Sequence, residues 1–174
     1  MNELPFRHVC IDDFLPYAHA QMALACFPAT DSPVWKTPEN PHTHAKSVLR
    51  GLKYEQFNPS VRPVFDYMAN AIMLTRLADI FGIAGLLPDP YYTEGGYHRI
   101  GRGGFLDIHA DFSHSDVTGL ERRLNLILYL NEGWHPDWGG ELNLYDERLQ
   151  PMASYAPIFN RAVIFETSDT SYHG

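Results

Sequence analysis

The segment GFLDIHADF, residues 104–112, decides the predicted fold because polar and apolar residues alternate along it. Alternate side chains of an extended strand point to opposite faces, so Asp107, His109 and Asp111 share one face. Alternation with this period is typical of a β-strand that buries one side. We therefore predict a strand over residues 104–112 that presents both His109 and Asp111 to one polar cavity.

The alternation continues in residues 123–131, RLNLILYLN, where Asn125 and Tyr129 share a mixed face opposite a face of leucines. Residues 140–145 and 162–166 are two further predicted strands. Together these segments predict an antiparallel β unit in the second half of the chain. Its apolar faces need a cover, and its mixed faces suit a cavity inside a sandwich or barrel.

Two segments in the first half have the composition and spacing of helices, residues 16–27 and residues 61–81. Ser60 is the predicted N-cap of the longer helix, and Gly82 is its predicted end. Residues 28–60 contain five prolines and are predicted to form a loop with some edge structure. We expect the helices to cover the leucine face, so the predicted fold class is mainly β with flanking helices.

The composition suits one folded domain, with 174 residues, 45% of them hydrophobic and 20% charged. We expect residues 1–90 to form a helical and loop support region and residues 91–174 to form the β core. A net charge of −8 excludes a general nucleic-acid-binding protein, and no membrane segment or signal peptide is evident. Cys10 and Cys26 make no disulfide framework, so we expect a reducing, cytoplasmic location.

The polar face of the first predicted strand carries two groups that can bind a metal ion. His109 and Asp111 lie two residues apart, and His173, which follows the last predicted strand, qualifies as a third ligand. Two histidines and one carboxylate that leave positions open suit non-haem Fe(II) oxygen chemistry. The segment 114–116 repeats the His-x-Asp spacing, but its surroundings predict a loop, so we leave it out of the site.

The second half of the chain resembles the prolyl-hydroxylase-like branch of the Fe(II)- and 2-oxoglutarate-dependent oxygenases. Four segments carry the resemblance: GGYHRIGRGGFLDIHADF (95–112), RRLNLILYLNEGW (122–134), WGGELNLYD (138–146) and FNRAVIFETSDTSYHG (159–174). The resemblance implies a double-stranded β-helix, the jelly-roll core also found in cupins, with the N-terminal helices packed on its outer face.

The same resemblance implies the chemistry. It predicts that His109, Asp111 and His173 bind Fe(II), that 2-oxoglutarate and O2 are cosubstrates, and that ascorbate is a candidate reductant. The implied reaction hydroxylates an aliphatic C–H bond and releases succinate and CO2. A prolyl residue, proline or a similar small molecule is the expected substrate. Related halogenases lack the carboxylate, so the presence of Asp111 favours hydroxylation.

Four other residues receive roles from their positions in the resembling segments. Tyr129 occupies the place of a tyrosine that holds the distal carboxylate of 2-oxoglutarate, and Asn125 on the same face is a second predicted cosubstrate contact. Arg122 and Trp134 are the predicted substrate contacts. The expected partners are therefore a small-molecule or peptidyl substrate, without nucleic acid or membrane; the pattern sets no oligomeric state.

The family's basic residue that clamps the 2-oxoglutarate carboxylate follows the second metal-binding histidine. Only Gly174 follows His173 here, and a glycine cannot act as the clamp. We therefore expect this clamp and the last core strands beyond Gly174. Two alternatives therefore stay open. One is a non-catalytic domain or inactive fragment with the oxygenase fold, and the other is a cupin-like metalloenzyme that uses the same three ligands without 2-oxoglutarate.

Overall fold

The computed structural model describes residues 1–37, 42–50, 54–92 and 95–174, and these residues form two compact units. The first contains Met1–Phe14, Leu77–Leu86 and Ile108–Gly174. The second contains Leu15–Arg76 and Leu87–Asp107. The prediction that residues 1–174 form one domain stays a prediction.

The first unit is built around a three-stranded antiparallel sheet. Its strands are β1 (His8–Ile11), β4 (Leu124–Tyr129) and β7 (Arg161–Glu166), with β7 in the middle. Residues 162–165 of β7 are completely buried, as expected for a central strand covered on both faces. The predicted strands over residues 123–131 and 162–166 are thus present with slightly different ends.

A second sheet in this unit contains β5 (Leu142–Tyr145) and β6 (Pro151–Tyr155), which pair antiparallel. Residues 172–174 pair with β5 at its other edge, where the Asn143 amide donates to the Gly174 carbonyl at 2.9 Å. His173 then pairs with His109 through two backbone hydrogen bonds of 2.9 Å. The end of the chain therefore lies between β5 and the segment that carries His109.

The two sheets of the first unit face each other across an apolar core. Leu142 and Leu144 of β5 pack with Val163 and Phe165 of β7, and none of the four is more than 7% exposed. Ile127 of the mixed face packs against them. This arrangement is a two-layer sandwich, so the prediction of a mainly β protein with few helices is confirmed.

The second unit contains β2 (Thr43–Arg50) and β3 (Gly96–Leu106), which pair antiparallel. Strand β2 lies inside the predicted loop of residues 28–60, whose residues 38–41 and 51–53 lie outside the described part of the chain. The close pairing depends on Gly104, because a Cβ atom there would lie only 2.7 Å from the His44 carbonyl oxygen.

The predicted strand over residues 104–112 is wrong in its extent. Strand β3 begins at Gly96 and ends at Leu106; beyond it the Asp107 amide still donates to the His42 carbonyl at 2.9 Å, and His109 forms an isolated bridge with His173. The glycine-rich stretch before Phe105 has little side-chain bulk, which permits close strand pairing. Alternation therefore identified an extended backbone but not its pairing partners.

An aromatic cluster forms the core of the second unit. The rings of Phe57 and Phe65 stack with their centroids 4.0 Å apart, and Tyr92 and Tyr97 pack edge-on against them. Burial raises the pKa of Tyr97 to about 12, so its hydroxyl keeps its proton at neutral pH.

The predicted helix over residues 16–27 is present as α1 (Tyr17–Ala25), but the predicted helix over 61–81 is two helices. They are α2 (Arg62–Ala69) and α3 (Ala71–Phe81). Gly82, with φ of 63°, ends α3 as predicted. In the described part of the chain, no helix has the length and apolar character required to cross a bilayer.

Asn70 causes the break because its side chain competes for backbone hydrogen bonds. It adopts an extended ψ of 157°, accepts the Met73 amide at 2.8 Å and donates to the Tyr67 carbonyl at 2.7 Å. It therefore caps α3. The predicted N-cap, Ser60, is wrong: the residue before α2 is Val61, which makes no side-chain cap.

We expect Asn70→Ala to destabilise the protein by roughly 1 kcal/mol, since it removes the cap of α3. Thermal unfolding should show a melting temperature lower by about 2–4 °C. Asn58→Ala is the matched control, because Asn58 is exposed in a loop, where its side chain accepts the Ser60 amide at 3.0 Å. Equal melting temperatures for the Asn70 variant and the wild type would contradict the capping role.

Candidate metal centre

Backbone pairing brings the three predicted metal ligands together. The bridge between His109 and His173 places the two imidazoles side by side, with ring centroids 4.3 Å apart. Asp111 follows two residues after His109 and reaches both rings. Its Oδ1 lies 3.8 Å from Nε2 of His109, and its Oδ2 lies 3.7 Å from Nε2 of His173. A candidate ligand atom from each residue lies within 4.8 Å of the others.

His173 is buried and held in one tautomer. Only 4% of the residue is exposed, and its ring lies 4.7 Å from the ring of Phe165. Nδ1 is 3.0 Å from the Ser171 carbonyl, which can only accept, so Nδ1 carries the proton. The lone pair of Nε2 is therefore available to a metal ion, as in many histidine metal sites.

The role of Ser171 was not predicted from the sequence. Its hydroxyl donates to the Ser168 carbonyl at 2.9 Å and accepts the Ser168 amide at 2.8 Å, which closes a short loop before His173. A metal-binding histidine usually donates its second ring N–H to a nearby carbonyl or carboxylate. A search for such a partner close to His173 could therefore have identified Ser171.

The donor set fits the group that the sequence predicts. Two imidazole nitrogens and one carboxylate match the ligands of non-haem Fe(II) enzymes and leave coordination positions open. Among the residues that the structure describes, this is the group of three side chains found within metal-binding reach of one another. The rejected His114-Ser-Asp116 segment is not part of it; His114 instead bridges to Glu121.

Burial lowers the pKa of His173, and hydrogen bonding to Ser171 and the charge of Asp111 oppose this only in part. In the unfolded chain a histidine has its ordinary pKa of about 6.5. Below that pH the unfolded chain takes up a proton that folded His173 resists. The contribution of His173 to stability is therefore complete above about pH 6.5 and is lost as the pH falls.

We accordingly expect the metal-free protein to lose stability between about pH 7 and about pH 5 more steeply than a His173→Gln variant. Thermal unfolding across this range measures the difference. His135→Gln, which removes an imidazole whose side chain is 61% exposed, should leave the steepness as in the wild type. Parallel curves for the wild type and His173→Gln would contradict this assignment.

Two of the other predicted site residues contact Asp111. The side-chain amide of Asn125 donates to Oδ2 at 2.8 Å, and a guanidinium nitrogen of Arg122 lies 3.3 Å from the same oxygen. The sequence assigned Asn125 to the cosubstrate and Arg122 to the substrate. The structure places both against the carboxylate of Asp111, a predicted metal ligand.

The remaining two lie elsewhere. Tyr129 packs against the core between the two sheets, and burial strongly raises the pKa of its hydroxyl, which therefore stays protonated and can donate a hydrogen bond. Trp134 lies in the connection between β4 and β5, where its indole nitrogen donates to the Gly139 carbonyl at 3.0 Å. Its observed contact stabilises that connection.

A cavity of about 340 Å³ shares Arg122 with the metal centre. Ser113 and Thr167 are also part of its wall. The hydroxyl oxygen of Thr167 is buried and makes no hydrogen bond to any described residue. Buried polar groups rarely lack a partner, which makes this hydroxyl unusual.

Sequence comparison agrees with these features. Residues 95–174 match the family model described as the 2OG-Fe(II) oxygenase superfamily. A mouse protein, prolyl 3-hydroxylase OGFOD1, is 47% identical over 57 residues, which cover 30% of this chain and 10% of that protein. The chain thus spans about a tenth of the length of this curated relative.

Structural comparison finds prolyl hydroxylases. The crystal structure of a Pseudomonas putida prolyl-4-hydroxylase superposes with a TM-score of 0.59 at 20% identity, covering 95% of this chain and 83% of that one. A Trichoplax adhaerens prolyl hydroxylase, in complex with a hypoxia inducible factor peptide fragment, gives 0.54 at 15% identity, covering 95% and 75%. These likenesses establish a shared fold.

Proposed function

We propose that this protein, whose residues 95–174 belong to the 2OG-Fe(II) oxygenase superfamily, is an Fe(II)- and 2-oxoglutarate-dependent hydroxylase of an aliphatic C–H bond. The observation that carries the proposal is the convergence of His109, Asp111 and His173. Two imidazoles and a carboxylate in such proximity have an evident use as metal ligands. A polar cluster of this kind beside an apolar core is costly to keep without a bound metal ion.

The three side chains would hold the ion from one side. Nε2 of each histidine and a carboxylate oxygen of Asp111 are the donor atoms, and the remaining positions are open to 2-oxoglutarate and O2. The bound Fe(II), with these cosubstrates, supplies the oxidising chemistry, and succinate and CO2 are the coproducts. The protein contributes by fixing the ligands and by excluding water from the buried side of His173.

Tyr129 packs against the core from β4, and its protonated hydroxyl can donate to the distal carboxylate of 2-oxoglutarate. We therefore retain Tyr129 as the proposed cosubstrate contact. The facing sheets of the first unit support a jelly-roll core.

A prolyl residue is the proposed substrate, either in a peptide or as the free amino acid. The Trichoplax neighbour holds a peptide, which supports a peptidyl substrate here. The cavity that Arg122 lines gives such a peptide room. The free thiols of Cys10 and Cys26 support a reducing, cytoplasmic location.

Mass spectrometry of peptide products tests the proposal. The protein, supplied with Fe(II), 2-oxoglutarate and ascorbate, is incubated with a proline-containing peptide panel and with matched peptides that carry alanine instead. We expect a gain of one oxygen atom on proline, placed by fragmentation, and none on the alanine peptides. Consumption of 2-oxoglutarate without oxygen on any prolyl product would overturn the prolyl substrate, and no consumption would overturn the hydroxylase.

A further inference from the structure

Asn125 is fixed by the first sheet. It lies on β4 directly opposite Phe165 of the buried central strand, so the strand pairing holds its backbone. Its amide nitrogen donates to Oδ2 of Asp111 at 2.8 Å. Since an amide hydrogen bond is directional and its donor is anchored, this contact restricts the rotation of the Asp111 side chain.

Arg122 reaches the same oxygen from the residue pair that precedes β4. Its backbone amide donates to the Ser113 carbonyl at 2.9 Å, which ties it to the segment following Asp111. Its guanidinium carbon lies 4.8 Å from the centre of the Phe112 ring, and its nitrogen lies 3.3 Å from Oδ2. Only 20% of its side chain is exposed, so solvent screens this ion pair weakly.

Both contacts are to Oδ2, which lies 3.7 Å from Nε2 of His173, while Oδ1 lies 3.8 Å from Nε2 of His109. We infer that Asn125 and Arg122 are positioning residues, which together hold the Asp111 carboxylate within reach of both imidazoles and so of the metal ion. This inference rests on the proposed Fe(II) site. It replaces the predicted roles of Asn125 toward 2-oxoglutarate and of Arg122 toward the substrate.

Asp111 is a half-buried carboxylate between two imidazoles, and the Arg122 guanidinium lies 3.3 Å from its Oδ2. Hydrogen-bonding partners of metal ligands commonly change metal affinity by 10–100-fold when they are removed. An effect of that size is large enough to measure on the metal-free protein without any turnover.

Titration with Co(II), a substitute for Fe(II) that is stable in air, tests the inference. Metal-free wild type, Asn125→Ala and Arg122→Gln are titrated against a competing chelator. We expect each variant to bind Co(II) about 10–100-fold more weakly than the wild type. Arg122→Lys, which keeps the charge but not the planar guanidinium, should recover part of the loss.

Arg123→Gln is the matched control because it removes the same charge one residue away. Arg123 pairs with Glu121 at 3.8 Å, and its side chain is 44% exposed, so Co(II) affinity should equal that of the wild type. Melting temperatures of the metal-free variants show whether each is folded. If Arg122→Gln is unfolded, Asn125→Ala and Arg122→Lys still carry the test.

Binding of 2-oxoglutarate to the Co(II)-saturated proteins separates positioning from cosubstrate contact. We expect its affinity to be the same in the wild type and in both variants. Unchanged Co(II) affinity, or lost 2-oxoglutarate affinity with Co(II) affinity retained, would overturn the inference. A wild type that binds Co(II) and is weakened by both substitutions, yet hydroxylates nothing, would support the inference and contradict the proposed function.

Discussion

Asp111→Ala should abolish 2-oxoglutarate-dependent hydroxylation. Asp111 supplies the carboxylate of the three-ligand group and lies within 3.8 Å of both imidazoles. Loss of a ligand should cost more than the roughly 100-fold that removal of an outer partner costs. Product formation under saturating Fe(II) and the Co(II) affinity of the metal-free protein measure the two parts of the effect.

Asp116→Ala is the control for this substitution. Asp116 is the carboxylate of the second His-x-Asp segment, it is exposed, and it lies outside the group of candidate ligands. Its replacement should leave both Co(II) affinity and hydroxylation at the wild-type level. Full activity of Asp111→Ala, or equal losses in the two variants, would refute the metal assignment.

Phe165→Ala should destabilise the protein by roughly 3–5 kcal/mol, the usual cost of removing a large aromatic side chain from a core. Phe165 is fully buried on the central strand and packs against Leu142, Leu144 and the ring of His173. The cavity left behind would also release His173 from its fixed orientation. Urea denaturation monitored by circular dichroism measures the loss of unfolding free energy.

Two further variants serve as controls for Phe165→Ala. Phe165→Leu keeps most of the apolar volume and should cost much less than Phe165→Ala. Phe105→Ala makes the same chemical change at a position that is 47% exposed, so it should alter the unfolding free energy little. Comparable losses at positions 165 and 105 would contradict the core assignment of Phe165.

The two adjacent strands β4 and β7 were predicted from different patterns. Leucines and mixed residues alternate along residues 124–129, whereas residues 162–165 form a short apolar run that is buried throughout. Strand β1 was missed because four residues are too few to establish a period. Strand β6 was missed because it begins with Pro151, which suggests a turn although an edge strand tolerates proline at its start.

The three candidate ligands were named from the sequence, but the contact that brings the third ligand to the other two was not. Alternation placed His109 and Asp111 on one face of an extended segment, and backbone pairing of His109 with His173 brings His173 to them. Pairing between residues so far apart in the chain leaves no local pattern. The contacts of Asn125 and Arg122 with Asp111 were unpredictable for the same reason.

The most direct test of the account is succinate formation from 2-oxoglutarate, measured with and without Fe(II) and a prolyl peptide. We expect the wild-type protein to form succinate only when Fe(II) is present, and the prolyl peptide to accelerate the reaction. We also expect Asp111→Ala to form no succinate and Asp116→Ala to match the wild type. A wild-type protein that binds Fe(II) yet forms no succinate with any prolyl substrate would contradict it.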